Sequence, residues 1–283
     1  MSDPSSGASR PSSSPAAGRG AAAAGTGAAA TAAVATAAVA TVDLPTPASA
    51  LAVAAHPDDV EFGCGATLAK WAAAGCVVHH LVCTDGSKGT WDPDQDLPDL
   101  VVQRQREQRA AAAALGATGE VVFLGWPDGE LDSGLRQRWQ VAYWIRRLRP
   151  AVVLGHDPWK RYRLHPDHRH AGFLTVDGVV AARDPHFFPE QQIAHHRPDA
   201  LLLFEADEAS HVEQVGEADV ARKLAALEAH ESQMRSTMHV EVGAPSADEQ
   251  LAAFRQRVRD RLAGHGSLAG VPQGEAFAAI TDL

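Results

Sequence analysis

From Leu51 onward the chain alternates short apolar runs with amphipathic stretches of helical period, and this alternation limits its possible folds more than any other feature. Residues 51–55, 76–83, 121–124, 151–155 and 200–204 read as strands, each short, apolar and bounded by Gly, Pro or Asp. Between them, residues 63–74, 100–115, 134–148 and 169–182 read as helices. Strands separated by helices run parallel, and their crossovers are right-handed. The expected architecture is therefore α/β, a Rossmann-like open, mostly parallel sheet with helices on both faces. A further amphipathic helix at 248–262 packs either over the site or against another subunit of a homo-oligomer, and the sequence leaves both open.

The N-terminal stretch is different in kind. Met1 to Val42 is almost entirely Ala, Gly, Ser, Thr and Pro, with no Leu before Leu44 and no aromatic residue before Phe62. Such a segment has too little apolar surface to offset its ordering entropy, so residues 1–48 are expected to be a disordered tail and residues 49–283 the globular domain. The Ala-rich run at 21–41 lacks the Leu, Ile and Phe that drive insertion into a bilayer. Twenty-five Lys plus Arg against 35 Asp plus Glu give a formal net charge of −10, which argues against nucleic acid or an anionic membrane as a partner and favours a small molecule. Cys64, Cys76 and Cys83 are odd in number and lack zinc-knuckle or thioredoxin spacing, so a reducing, cytoplasmic setting is expected.

In open α/β sheets, ligands bind at the carboxyl ends of the strands, near the point where the strand order reverses. The segments following the first four expected strands are His56-Pro57-Asp58-Asp59, Thr84-Asp85-Gly86-Ser87-Lys88-Gly89, Gly125-Trp126-Pro127-Asp128-Gly129 and the run from His156 to His168. The first and fourth carry matching patterns, His56-Pro57-Asp58 and His165-Pro166-Asp167-His168. One His-Pro-Asp on its own reads as an ordinary turn with a capping Asp. Two of them at equivalent strand ends can combine two histidines and an aspartate into the open three-ligand site of catalytic zinc. His79-His80, in a strand, and His195-His196, in a polar loop, read as structural or solvated.

These residues carry a resemblance to the PIG-L/LmbE-like family of zinc-dependent N-acetylglucosaminyl deacetylases, whose signatures are an Ala-His-Pro-Asp-Asp turn and a downstream His-Pro-Asp-His. The likeness extends through Thr84-Asp85-Gly86-Ser87, Arg104 and Glu107, Phe123-Leu124-Gly125 with Asp128-Gly129, and His230-x-Ser232-Gln233, covering roughly residues 50–240. It implies that His56, Asp59 and His168 hold zinc, or ferrous iron in its place, and that Asp58 is the general base for the attacking water. It further implies that His165, as imidazolium, faces the substrate carbonyl, that Asp167 orients a ligand histidine, and that Arg104 and Asp132 meet the sugar hydroxyls. The implied reaction is hydrolysis of an acetamide on an amino-sugar conjugate.

The chain departs from the mycothiol-pathway members at Arg163, which stands where they carry Tyr two residues before His165; with Lys160 and Arg161 it reads as a basic loop, solvated or facing an anionic leaving group. Two rival functions can be stated. A non-haem iron oxygenase would use the same two-histidine, one-carboxylate set, but generally on an antiparallel barrel. A nucleotide-binding module would use Gly63-x-Gly65 as a phosphate turn, although Leu68 occupies the third glycine's place.

Overall fold

The computed structural model describes residues 41–283. Eight strands, β1 (Thr41–Val42), β2 (Ser49–Ala54), β3 (Val77–Thr84), β4 (Val121–Trp126), β5 (Val152–His156), β6 (Ala200–Phe204), β7 (His211–Gln214) and β8 (Gly274–Ile280), form one sheet. Their order is β1-β7-β8-β6-β5-β2-β3-β4. Every pairing is parallel except those of β8, which runs antiparallel to β6 and β7. The helices are α1 (Asp59–Ala73), α2 (Leu97–Leu115), α3 (Leu135–Leu148), α4 (Pro166–Arg183), α5 (Glu217–Glu228) and α6 (Ala247–Ser267).

The strand period of two explains the layers. Ala50, Ala52 and Ala54 of β2 face a core shared with Leu68 and Trp71 of α1 and Leu115 of α2. Leu51 and Val53 face the opposite core, built on Val141 and Ile145 of α3 and Leu174 of α4. Helices therefore cover both faces, as expected, and the antiparallel barrel that an oxygenase would use is absent from the described residues. Phe254, Val258 and Leu262 of α6 pack on Val220, Leu224 and Leu227 of α5, adding a third layer outside the first face. The chain winds from β2 to β3 and β4 on one side, then returns to β5 on the other. A crevice thus opens at the carboxyl ends of β2 and β5.

Several boundaries differ from the sequence reading. Helices α1, α2 and α4 begin three or four residues earlier than expected, at Asp59, Leu97 and Pro166. For α1 and α4 the reason is chemical: the site turns themselves form the first helical turn, with Pro166 at the start of α4 and His165 Nδ1 accepting the Asp167 N–H at 3.3 Å. Residues 41–48, expected to belong to the tail, are part of the fold. Thr41 and Val42 pair with His211 and Val212, and Leu44 N–H donates to Glu213 at 2.8 Å. The rest of that expected tail, residues 1–40, lies outside the described residues. Strands β7 and β8 and helix α5 had no counterpart in the sequence reading.

Helix α1 is broken at Cys64 (φ −146°) and spliced by a buried ion pair. In an unbroken helix the Phe62 carbonyl would accept the Ala66 N–H. Here it accepts Lys223 Nζ at 2.9 Å, while Ala66 and Thr67 N–H donate to Glu275 at 3.1 and 2.7 Å. Lys223 and Glu275 close the loop at 2.6 Å, and both are almost fully buried. Gly63 stands at the break, where a Cβ would lie 2.5 Å from the Phe204 ring of β6. Gly63 and Gly65 are thus packing positions inside a helix, and no phosphate turn forms there.

Candidate active site and metal centre

The turn leaving β2 holds Asp58 at φ 105°, a left-handed conformation that is strained for a residue with a side chain. Its N–H donates to Gln108 Oε1 at 2.9 Å, and its carbonyl accepts the Phe62 N–H at 3.1 Å. Arg104, buried, reaches across from α2 to bring Nη2 within 3.5 Å of Asp58 Oδ2 while donating to the Pro57 and Gly86 carbonyls. Gly86 adopts φ +68°, and a Cβ there would meet the guanidinium at 2.8 Å. Below Asp58, Gln108 Nε2 donates to Glu61 Oε1 at 2.8 Å, and Glu61 Oε2 faces His230 Nε2 at 3.3 Å. Burial pushes the Asp58 carboxyl up to about 6, against the pull of Arg104.

Three donors meet beside it. His56 Nδ1 lies 3.3 Å from Asp59 Oδ2, His168 Nε2 lies 3.2 Å from Asp59 Oδ1, and the two histidine nitrogens are 3.2 Å apart. Ligands at zinc bond lengths on a tetrahedral ion sit roughly 3.3–3.6 Å from one another. The nitrogen and carboxylate donors of His56, Asp59 and His168 therefore fit a zinc-like cation in both type and spacing. The carboxylates of Asp58, Asp59, Asp128 and Asp167 converge here on histidines and Arg104, with Lys88 bonded to Asp128, a donor set suited to a cation.

His56 and Asp59 are fixed from behind. His56 Nε2 faces Asp128 Oδ1 at 3.1 Å and Asp167 Oδ2 at 3.2 Å, and Asp167 in turn accepts N–H bonds from Gly129 and Leu131. Asp59 accepts the His56 N–H at 2.8 Å and faces His156 Nε2 at 3.3 Å. His156 continues to Glu205, which Arg163 pairs at 2.7 Å. Burial opposes ionisation of Asp59, but His168 and His156 outweigh it and hold the carboxyl well below the usual range. Such backing fixes ring orientation and ligand basicity.

His165 caps α4 and borders the cavity, its ring 4.6 Å from that of His56 and 4.8 Å from that of His168. Because Nδ1 accepts the Asp167 N–H, the proton of the neutral ring resides on Nε2. Burial, reinforced by His56 and His168, lowers its pKa. The cavity holds about 510 Å³ and is also bordered by Lys88, the exposed Trp91, Arg104 and Asp128.

Of the seven residues picked from sequence, the structure brings His56, Asp58, Asp59, Arg104, His165 and His168 together. Asp132 stays out: it is exposed, and its carboxylate accepts the Gly134 N–H at 2.8 Å in a turn before α3. Asp128, directly after β4, borders the cavity instead. Arg104 is tied to two carbonyls and Asp58, so its first task is to hold the base. Arg163 is buried against Glu205, neither solvated nor bordering the cavity. Sequence reasoning missed His156 and Glu205, although both stand at the carboxyl ends of parallel strands, where such groups are sought.

The family model described as GlcNAc-PI de-N-acetylase (PIG-L) matches residues 51–179, the stretch carrying both histidine motifs. A diacetylchitobiose deacetylase of Thermococcus kodakarensis is 35% identical over 186 residues, 65% of this chain and 69% of that protein. A 1D-myo-inositol 2-acetamido-2-deoxy-alpha-D-glucopyranoside deacetylase of Streptomyces avermitilis is 36% identical over 166 residues, 50% of this chain and 55% of that protein. Among solved structures, N,N'-diacetylchitobiose deacetylase of Pyrococcus horikoshii superposes with a TM-score of 0.73 at 26% identity, covering 83% of this chain and 84% of that one.

Proposed function

Because this chain belongs to the family of PIG-L de-N-acetylases, we propose that it is a metal-dependent amide hydrolase that removes an N-acetyl group from an amino-sugar conjugate. The observation that carries the reading is the donor set of His56, Asp59 and His168, in which the two histidine nitrogens lie 3.2 Å apart and each lies 3.2–3.3 Å from one of the two Asp59 oxygens, with a second carboxylate, Asp58, beside it in the same cavity.

His56, Asp59 and His168 would hold zinc, or ferrous iron in its place. A cation there activates water and polarises an amide carbonyl near neutral pH. Asp58, buried and raised toward neutrality, accepts a proton from the attacking water and passes it to the departing amine. Arg104 and Gln108 keep its carboxylate aimed into the cavity by holding a strained turn. His165 donates from Nε2 to the carbonyl oxygen as negative charge develops on it. Asp128 and the exposed indole of Trp91 are left to meet the sugar, the indole by stacking on its apolar face. Cys64, Cys76 and Cys83 are buried and unpaired, in keeping with a reducing, cytoplasmic setting, and no helix among the described residues is long and apolar enough to cross a membrane.

The test combines metal content with amine release from N-acetylglucosamine and its inositol conjugate. The parent should hold one metal per chain and release amine. Asp58→Ala should keep the metal and lose turnover, and His168→Ala should lose both. A folded parent without metal would overturn the site assignment, whereas turnover retained by Asp58→Ala would overturn the role of the base.

A further inference from the structure

Behind the base lies a cluster of four fully buried polar side chains: Glu61 of α1, His80 of β3, Gln108 of α2 and His230, which follows α5. None of them borders the active-site cavity. His230 lies beyond the stretch matched by the family model, and with Ser232 and Gln233 it forms a sequence motif that the proposed reaction leaves without a task. The motif ties together elements that carry the site. Ser232 donates through its N–H and Oγ to Glu107 of α2 at 2.9 and 2.6 Å, and Gln233 Nε2 donates to the Gly89 carbonyl, in the loop after β3, at 3.0 Å. His230 Nε2 faces Glu61 Oε2 at 3.3 Å, and because its Nδ1 is buried without a partner, this is the one polar contact its ring makes among the described residues.

The contacts inside the cluster lead to the base. Gln108 Nε2 donates to Glu61 Oε1 at 2.8 Å and lies 3.1 Å from His80 Nδ1. With its nitrogen engaged there, Gln108 turns Oε1 toward the turn after β2, where it accepts the Asp58 N–H at 2.9 Å. Turned over, the side-chain amide would set its nitrogen against the Asp58 N–H and its oxygen against Glu61, donor facing donor and acceptor facing acceptor. The orientation matters because Asp58 stands at φ 105°, which a residue with a side chain holds only where its surroundings impose it. A buried polar cluster of this kind adds little stability over an apolar filling, and what it supplies is a single arrangement of its groups.

We propose that Glu61 and His230 are positioning residues for the base: His230 holds Glu61, Glu61 fixes the orientation of the Gln108 amide, and that amide holds Asp58 in its strained turn. The proposal rests on the amide-hydrolase reading above and deepens it. Misplacing a reacting group by about 1 Å costs roughly 10²-fold in rate, so side chains that never reach the cavity still govern turnover. Their effect falls on kcat, because the chain of contacts ends at Asp58 and includes no metal donor.

The experiment measures kcat, KM and metal content for the parent, Glu61→Leu, Glu61→Gln, Gln108→Leu and the double variant Glu61→Leu with Gln108→Leu. The assay is amine release from N-acetylglucosamine and its inositol conjugate, and crystal structures of the parent and Glu61→Leu accompany it. Glu61→Leu should lose about 10–100-fold in kcat, with KM within about twofold and metal content unchanged. Glu61→Gln keeps an acceptor oxygen for the Gln108 amide and should stay within about threefold of the parent. The double variant should lose no more than Gln108→Leu alone. An unchanged kcat in Glu61→Leu, an equal loss in Glu61→Gln, losses that multiply in the double variant, or loss of metal would each overturn the proposal. If Glu61→Leu does not fold, His230→Leu and His230→Gln make the same comparison: the first should lose about tenfold in kcat and the second, which keeps a donor, should stay within about threefold of the parent. Equal turnover in those two would overturn it. If the parent hydrolyses neither substrate, the hydrolase reading fails and the structures decide the positioning. In Glu61→Leu, or in His230→Leu where only that variant folds, the contact from the Asp58 N–H to Gln108 Oε1 should open beyond about 3.5 Å, and an unchanged contact would overturn the proposal.

Discussion

Two clusters of buried charge flank helix α1 within a few residues of each other, and they are finished differently. At the break in the helix, Lys223 and Glu275 satisfy one another and the backbone groups that the kink releases. At its N-terminal turn, Asp58, Asp59, Asp128 and Asp167 converge on histidines whose nitrogens face one another at hydrogen-bond distance. The first cluster is closed by the chain itself and serves the fold. The second gathers four carboxylates and several histidines at the edge of a cavity, where a cation can bind. Buried charge left uncompensated by protein groups is costly, so it persists where a cation or a reaction supplies the balance.

The contrast can be broken from either side. The largest effect is expected at the open cluster: Asp58→Asn should lower kcat by about 10²–10⁴-fold with metal content unchanged, measured by amine release beside metal analysis. At the closed cluster, Lys223→Met strands a buried carboxylate and should cost about 3–5 kcal/mol of stability by urea denaturation. A loss under about 1 kcal/mol would show that the pair does not splice the helix. A smaller effect belongs to Asp167 of the open cluster, which touches His56 from behind; Asp167→Asn should weaken metal affinity about 10–100-fold in competition with a chelator. The smallest effect belongs to a charge pair in neither cluster. Arg255 meets Glu228 at 2.7 Å at the surface, and Arg255→Ala should shift stability by under about 1 kcal/mol.

The same division explains what could be read from sequence. The open cluster is written in short local motifs: the residues between His56 and Asp59, and between His165 and His168, are close in the chain, and alternation alone places them at strand ends. The closed cluster joins residue 66 to residue 275 and residue 62 to residue 223, and no local pattern marks a Lys in an amphipathic helix as the donor to a broken one. Strand β8 was illegible for a related reason. Its Gly-Glu-Ala-Phe-Ala-Ala-Ile is rich in small residues and becomes a strand only by pairing antiparallel between β6 and β7. Asp128 and Asp132 show the limit within a motif. Both follow β4 within a few residues, and only the turn at Gly129, held by Asp167, aims the first into the cavity and leaves the second outside it.

The central claim, that the open cluster is completed by one cation and works only then, is tested most directly by a titration. Protein stripped with a chelator is returned to increasing zinc while amine release from an N-acetylglucosamine conjugate is followed. The expected result is negligible turnover without metal, rising linearly and reaching its plateau at one equivalent. Full turnover in the stripped, folded protein would contradict the account.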